Sequence, residues 1–588
     1  MQPLKHQEIS DSILAKMEKA VLSSLIKAFP ETPKEQFIVE VTKSTQDAFG
    51  EYQCNSAMKM AKLLRAAPLQ IAKKIVEVLS VEDEAIESCS VAGPGFINIT
   101  LRPEFLASYV TKMLRSKKFN IHAAKRKKIV IDFSSPNIAK EMHVGHLRST
   151  IIGDCLARVF EFLDQDVLRI NHLGDWGTSF GMLIAYSEKL NLDEKLELMS
   201  LSELVAMYRQ AKTLFDEDAD FKKQSQLAVV ALQGGDKRAR AIWHLLCEIS
   251  KKAYKEIYDL LDVRLIDRGE SYYNDRLGST VQDLEEKGLV TVSNGAKCIF
   301  LDGFITKENE PLPLMIQKSD GGYNYDTTDM ATIHQRIFEE KADHLVYVTD
   351  AGQSLHFQMV FQAALKAKYW DPDKVRVDHV PFGVVLGQDG KKFRTRSGET
   401  EKLIDLLQTA IDKAYEIVKS RNPDWSEKEQ REVSKALGIG AVKYADLSGH
   451  RQSDYVFSYE RMLRFDGNTA AFIMYSFVRA NSIKRKVGVD VDTLIGNVKI
   501  ELVHPSEKAL ALRLAQFPEC LDACISELLP NRITDYLFCL AEIFNGFFRD
   551  CRVEGSLEQN SRLLLTECTA RVLKQGLSLL GVKTVERM

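Results

Sequence analysis

Apolar residues recur every three or four positions at Ile9, Ile13, Leu14, Met17, Val21, Leu22, Leu25 and Ile26, which predicts an amphipathic helix. Phe37-Ile38-Val39-Glu40-Val41 then reads as a strand, and Val91-Ala92-Gly93-Pro94-Gly95-Phe96-Ile97-Asn98-Ile99 as a turn leading into a closing strand. A small α+β unit therefore opens the chain. The basic run Lys125-Arg126-Lys127-Lys128 follows as a solvated linker.

Ile129-Val130-Ile131 is a short apolar run stopped by Ser134-Ser135-Pro136-Asn137, residues that end a strand and begin a turn. Leu147, Ile151, Ile152, Cys155, Leu156, Val159, Phe160 and Leu163 then place one apolar stripe along a helix. The run Val167 to Ile170 closes a parallel, right-handed strand-helix-strand unit. From about Glu188 to Asp262 the pattern is helical and highly charged, broken at Gln233-Gly234-Gly235-Asp236, and reads as an inserted module. Leu345 to Asp350 and Val380 to Leu386 return to the sheet. From Leu403 onward the chain reads as helix after helix, with a polar loop at Ala445 to Tyr455 and a last bundle that opens at Asn468 and ends at Met588.

A chain of 588 residues exceeds one core and suggests roughly three to five units. Its formal charge of -3 neither announces nor excludes a nucleic-acid partner. Ten cysteines without a C-x-x-C pair argue against a structural zinc site and a disulfide framework, and no metal-ligating set is expected. No apolar run is long enough for a membrane and MQPLKHQEIS lacks a signal core, so the expected compartment is the cytoplasm.

Candidate chemistry starts at His143-Val144-Gly145-His146, at the mouth of a helix just past a strand. There the first backbone N–H groups lack partners and the helix dipole is positive, so phosphate binds readily. Gly145 lets a ligand approach the backbone, and the His143 and His146 imidazoles can donate to phosphate oxygens. Four such residues alone are more often a turn whose histidines bond locally. Asn171-His172-Leu173-Gly174-Asp175-Trp176-Gly177 is a second loop at a strand's carboxyl end, where α/β sheets keep their ligands. Gly390-Lys391-Lys392-Phe393-Arg394-Thr395-Arg396-Ser397-Gly398 carries four cations after a buried-type strand and suits a mobile phosphate clamp.

These motifs together resemble the class I aminoacyl-tRNA synthetases, whose first signature is His-x-Gly-His at this junction. Ser134 to Lys140 before it and Leu147-Arg148-Ser149-Thr150 after it resemble the arginyl members specifically. The cationic loop resembles their altered Lys-Met-Ser-Lys-Ser signature, with Arg394 where lysine is common. The resemblance implies an α/β fold: a Rossmann-type parallel-sheet catalytic domain with insertions, an N-terminal α+β domain and a C-terminal all-α helical bundle. It divides the chain into a tRNA-contacting domain at 1–124, a catalytic domain at 125–400 with a helical insertion at about 188–262, a stem-contact region at 401–465 and an anticodon-binding domain at 466–588.

The implied reaction joins L-arginine to ATP as arginyl-adenylate, assisted by Mg2+, and passes arginine to the terminal adenosine of its tRNA. The implied protein is a monomer. Catalytic roles fall to Lys140, His143, His146, Lys391, Lys392, Arg394 and Arg396, and ATP contacts to His143, Gly145, His146, Lys392 and Phe393. Arginine contacts fall to Ser135, Pro136, Asn137, His143, His146, Glu270, Tyr325, Asp329 and Gln353, with Tyr325 and Asp329 matching a Tyr-x-x-x-Asp motif. The alternative for Asp329 is a helix cap or first-turn acid. Implied tRNA contacts are Asp446, Ser448, His450, Arg451, Asp454, Tyr455 and Tyr475; Val585 departs from a proline frequent in the family. Two rivals use similar parts: another nucleotidyl transferase with His-x-Gly-His, and an RNA-binding scaffold that has lost catalysis. Tyr325 with Asp329 plus the long helical C-terminus argue against the first, and retention of the histidines and cations against the second.

Overall fold

The computed structural model describes residues 9, 12–82, 84–123, 125–191, 196–393 and 401–588. The helix Ile13–Ala28 begins where the Ser12 side chain accepts the Ala15 N–H, and it packs its apolar stripe over a four-stranded antiparallel sheet. The strands are β1 (Val41–Lys43), β2 (Tyr52–Cys54), β3 (Ile86–Ala92) and β4 (Phe96–Leu101), in the order β1-β2-β4-β3. Residues 37–40 are not strand, contrary to their apolar pattern. The Ile38 and Glu40 N–H groups go to Met60 Sδ and Ser56 Oγ, which removes them from any ladder.

This unit is fastened to the far end of the chain. Tyr52 donates its hydroxyl to Glu519 Oε1 at 2.5 Å, the Leu14 N–H donates to the same oxygen at 3.0 Å, and the Ile9 N–H donates to Asp522 at 3.1 Å. Both acceptors sit on the helix Phe517–Glu527.

The central sheet starts with β5 (Lys128–Asp132), β6 (Asp166–Asn171) and β7 (Ile266–Asp267). Between β6 and β7 the chain forms the helices Thr178–Leu190, Leu201–Glu217, Ala219–Gln233 and Lys237–Leu261. An antiparallel three-stranded sheet of β8 (Thr291–Ser293), β9 (Ala296–Ile305) and β10 (Pro311–Gln317) follows, and then β11 (His344–Tyr347) and β12 (Arg376–His379). The five central strands run parallel in the order β12-β11-β5-β6-β7. The order reverses between β5 and β11, and the crevice beyond their carboxyl ends is where such sheets bind ligands.

The fifth strand is thus Arg376–His379, not Val380–Leu386. Val380 and Phe382 still donate to Tyr347 and Thr349 carbonyls, but the Gly383 N–H turns to Arg451 O at 2.9 Å and the chain leaves the sheet. A Cβ at Gly383 would lie 2.6 Å from Asp454 Oδ1, so only glycine permits that exit. Beyond it β13 (Val385–Leu386) pairs in parallel with β14 (Tyr455–Val456).

The helix Val144–Phe162 buries nearly its whole surface, because it packs on the sheet and on the C-terminal helices Glu427–Ser448, Phe517–Glu527 and Gln559–Leu579. Residues 445–448, expected in a loop, form the last turn of Glu427–Ser448. The polar residues of the Val144–Phe162 helix are paired accordingly: Asp154 with Arg158 and Arg169, both at 2.6 Å, and Arg148 with Asp446.

Candidate functional site

A cavity of about 700 Å³ opens at the switch point between β5 and β11. After β5, Ser134 and Ser135 both adopt left-handed backbone, at φ 73° and 50°, which swings the chain out over the sheet edge. Neighbours hold this turn in place. The Ser134 N–H donates to Ser149 Oγ at 2.9 Å while Ser149 Oγ donates to Val348 O at 2.6 Å, and the Ser135 N–H donates to Asn171 Oδ1 at 3.0 Å. Gly174 closes against the turn; a Cβ there would lie 2.0 Å from Asn137 Oδ1.

His143 is the N-cap of Val144–Phe162. Its Nδ1 accepts the Gly145 N–H at 3.1 Å, and its own N–H donates to Nδ1 of His146 at 3.1 Å. Each Nδ1 is therefore a lone-pair acceptor, which places the proton of each neutral ring on Nε2. Burial, and then the Lys140 cation, holds the His143 pKa below its ordinary value; burial, then His143 and Lys140, pushes His146 down to about 3. Two neutral N–H donors and a helix N-terminus thus border one cavity.

Its other end is acidic. Asp329, in the helix Tyr325–Phe338, places Oδ2 at 2.6 Å from His356 Nε2, while His356 Nδ1 lies 3.2 Å from Asp326 Oδ1. Burial opposes charge on His356, yet the two carboxylates raise its pKa to about 9. Burial, helped by Asp175 and Asp329, pushes Glu270 up to about 8, so this acid is protonated at neutral pH. Asp175 is also raised by burial, against hydrogen bonds from Ser271. Asp329 caps no helix end; it faces the cavity with a histidine as partner.

Of the expected arginine contacts, Ser135, Asn137, His143, His146, Glu270, Tyr325, Asp329 and Gln353 line this cavity. Pro136 is buried behind it and its carbonyl accepts the Gly174 N–H at 3.2 Å. Gly145 is on the wall; Lys140 lies at the edge, exposed and within electrostatic reach of both imidazoles. Lys391 and Lys392 are exposed and do not line it. Phe393 is tied down at the base of its loop, its N–H on Val385 O at 3.0 Å and its ring 5.0 Å from that of Phe457. Arg394 and Arg396 lie outside the described residues. Just after them Lys402 forms a bridge with His143, and the Leu403 N–H donates to Met142 O at 2.8 Å.

The expected RNA contacts divide. Asp446 exposes none of its side chain and pairs with Arg148, itself 1% exposed, at 3.2 Å. Direct contact with RNA is excluded by that burial, and the expectation for Asp446 is corrected: it is an internal anchor. The Tyr455 ring faces the same guanidinium at 5.2 Å. Arg451 donates to Leu528 O and Pro381 O, and Asp454 accepts the Val384 N–H. His450 is exposed, and Ser448 is half-buried with its hydroxyl on Ala445 O. Tyr475 and Phe548 stand exposed on either side of the Arg479 guanidinium, whereas Phe544 and Phe547 are core.

Three features escaped the sequence reading. His356 is the first, although its place shortly after Gln353 was a signal. The role of Ser149, quoted in the sequence only within Leu147-Arg148-Ser149-Thr150, is the second: it joins the β5 and β11 loops. The third is the buried pair of Asp132, which lines the cavity, with Arg336 at 2.6 Å, where the guanidinium lies 5.1 Å from the Tyr347 ring.

The chain matches three family models: tRNA synthetases class I (R), catalytic domain, over residues 109–459; the DALR anticodon binding domain over 473–588; and the arginyl tRNA synthetase N terminal domain over 8–101. It is 57% identical to the arginine–tRNA ligase of Protochlamydia amoebophila (strain UWE25), covering 98% of this chain and 100% of that one, and 48% identical to that of Chlamydia abortus (strain DSM 27085 / S26/3) at the same coverage. The crystal structure of arginyl-tRNA synthetase from Plasmodium falciparum superposes with a TM-score of 0.86 at 33% identity, covering 98% of this chain and 99% of the other. The Thermus thermophilus arginyl-tRNA synthetase shares the fold, with a TM-score of 0.79 at 23% identity and coverage of 98% and 100%.

Proposed function

Because the chain belongs to the class I arginyl-tRNA synthetases, it is an ATP-dependent arginine–tRNA ligase, and we propose that both of its reactions run in the cavity between the His143/His146 turn and Asp329. The enzyme activates L-arginine with ATP and transfers it to the terminal adenosine of tRNA, releasing AMP and pyrophosphate. The observation that carries the assignment of the site is that one cavity joins the two imidazole donors to the acidic end.

In this reading the arginine carboxylate attacks the α-phosphorus of ATP, the new C(O)O–P bond forms, and the P–O bond to pyrophosphate breaks. Catalysis then rests on positioning and charge stabilisation, with no protein nucleophile. The Nε2–H groups of His143 and His146, the N–H groups of the helix start and the Lys140 ammonium meet the phosphate oxygens. Lys391 and Lys392, with Phe393 anchoring their segment, bring positive charge to the leaving group, a role the resemblance extends to Arg394 and Arg396. Asp329 accepts from the guanidinium with Glu270 beside it, Tyr325 and Gln353 border the pocket, and Ser135, Asn137 and His143 hold the amino-acid head. Pro136 shapes the turn from behind. Transfer goes to the 2′-hydroxyl.

Mg2+ fits this site as a companion of the triphosphate. Among the described residues no three His, Cys, Asp or Glu side chains converge to hold an ion, so phosphate oxygens and water would supply its ligands. The chain works as a cytoplasmic monomer; among the described residues no helix is long and apolar enough to cross a membrane. Its working units are 1–124, contacting tRNA, 125–400, catalytic, 401–465, along the stem, and 466–588, at the anticodon. Ser448, His450, Arg451, Asp454 and Tyr475 border the tRNA path.

Pyrophosphate exchange measured with arginine, with and without its tRNA, tests the reading. Exchange with arginine that is lost in Asp329→Asn and His146→Ala supports it; undiminished exchange in both variants removes the cavity from the reaction.

A further inference from the structure

The His356 ring has a carboxylate oxygen on each nitrogen, Asp329 Oδ2 at 2.6 Å from Nε2 and Asp326 Oδ1 at 3.2 Å from Nδ1. A carboxylate oxygen on each side favours a hydrogen on each nitrogen, and the two carboxylates raise the ring's pKa to about 9. Asp326 is itself fixed, because its Oδ2 accepts the Met315 N–H of β10 at 3.1 Å and the Asn324 amide at 3.3 Å. A connected series of polar contacts thus runs from the β10 backbone through Asp326 and His356 to Asp329. The Tyr325 ring covers the imidazole edge-on at 5.2 Å.

We propose that His356 is a positioning residue for arginine: by occupying Oδ2 of Asp329 it leaves Oδ1 as the acceptor for the incoming guanidinium, and by lying between two carboxylates it reduces the local charge to what one cation neutralises. This rests on the reading that the cavity takes arginine at Asp329. In the free protein, with Glu270 protonated, two acids and one imidazolium leave one negative charge to meet the incoming guanidinium. Without the ring the Asp329 carboxylate can rotate about its terminal torsion, so the orientation of Oδ1 must be re-formed on binding. A second carboxylate would also remain uncompensated. The groups facing His356 are Asp326, Asp329 and Tyr325 on the Tyr325–Phe338 helix and His379 on β12; Glu270 and Tyr347 act through Asp329.

The test compares steady-state aminoacylation by the full-length wild type, His356→Gln, Asp329→Asn and the double variant. His356→Gln raises KM for arginine ten-fold or more, leaves KM for ATP within two-fold, and adds nothing further in the Asp329→Asn background. A KM for arginine within two-fold of wild type in His356→Gln, or a parallel rise in KM for ATP, overturns the positioning role. If Asp329→Asn alone leaves KM for arginine unchanged, the cavity assignment fails with it; if only His356→Gln is silent, the proposal fails and the assignment stands. Histidine-selective ring NMR on the wild-type protein needs no folded variant at His356. A His356 signal that is imidazolium at pH 7.5 supports the proposal, and a neutral ring overturns it.

Discussion

Arg148 and Asp446 form an ion pair closed to water, at 3.2 Å with 1% and 0% of their side chains exposed. Arg148 also donates to Gly383 O at 2.7 Å and Ser453 O at 3.2 Å. One residue, two positions past His146, thus ties the Val144–Phe162 helix to the place where the chain leaves the sheet and to the loop before β14. Replacing Arg148 by Leu strands a buried carboxylate, and such losses cost about 3–5 kcal/mol. The expected result is a lowered calorimetric transition, and Asp446→Asn lowers it as well, because it leaves the permanently charged Arg148 guanidinium buried without its partner.

His143→Asn separates the two jobs of that imidazole. Asparagine caps helices well, so stability changes by less than about 1 kcal/mol. The Nε2–H donor is gone, and losing one donor to developing charge costs about 10²–10³ in rate. Thermal denaturation beside single-turnover adenylate formation reads both quantities.

Arginine binding releases a proton. Glu270, raised to about 8 from an ordinary 4.5, is neutral in the free protein at pH 7. A group raised in this way stabilises the fold fully below pH 4.5 and loses that contribution as the pH rises through 8. A guanidinium beside it reverses the balance and draws the proton off. Isothermal titration in buffers of different ionisation enthalpy checks this: about one proton is released by the wild type near pH 7 and none by Glu270→Gln.

Gly174→Ala places a Cβ where Asn137 Oδ1 now sits, at 2.0 Å. Either the asparagine or the loop must move, and both border the cavity. KM for arginine and for ATP should both rise, on the order of ten-fold, as even ~1 Å of misplacement is costly to positioned groups. Unchanged constants would show that the Asn137 side chain yields freely.

The geometry of the imidazole end was legible because its parts are contiguous: a strand end, a turn, His143 to His146 and a helix stripe follow one another in sequence. Even the two readings of His-x-Gly-His prove compatible, since the rings bond their own backbone through Nδ1 and keep Nε2 for the cavity. The lining of the acidic end was legible at Tyr325, Asp329, Glu270 and Gln353 only through the family resemblance. His356 arrives from another helix, and nothing in local spacing says which carboxylate a histidine will meet. The polar run from Asp446 to Asp454 looked like a solvated loop, yet Asp446 is interior because the Val144–Phe162 helix brings Arg148 against it. Val380 to Leu386 misled for the opposite reason: its apolar character reflects burial, while the ladder had already passed to Arg376–His379.

The Tyr52–Glu519 bond joins residues 467 apart in sequence. As the polypeptide emerges from the ribosome, the opening α+β unit must wait for almost the entire remainder to be translated before its acidic anchor exists. Until then the buried face of Tyr52 stands open to chaperones or to neighbouring nascent chains, so assembly of this enzyme is timed by its last helices rather than its first.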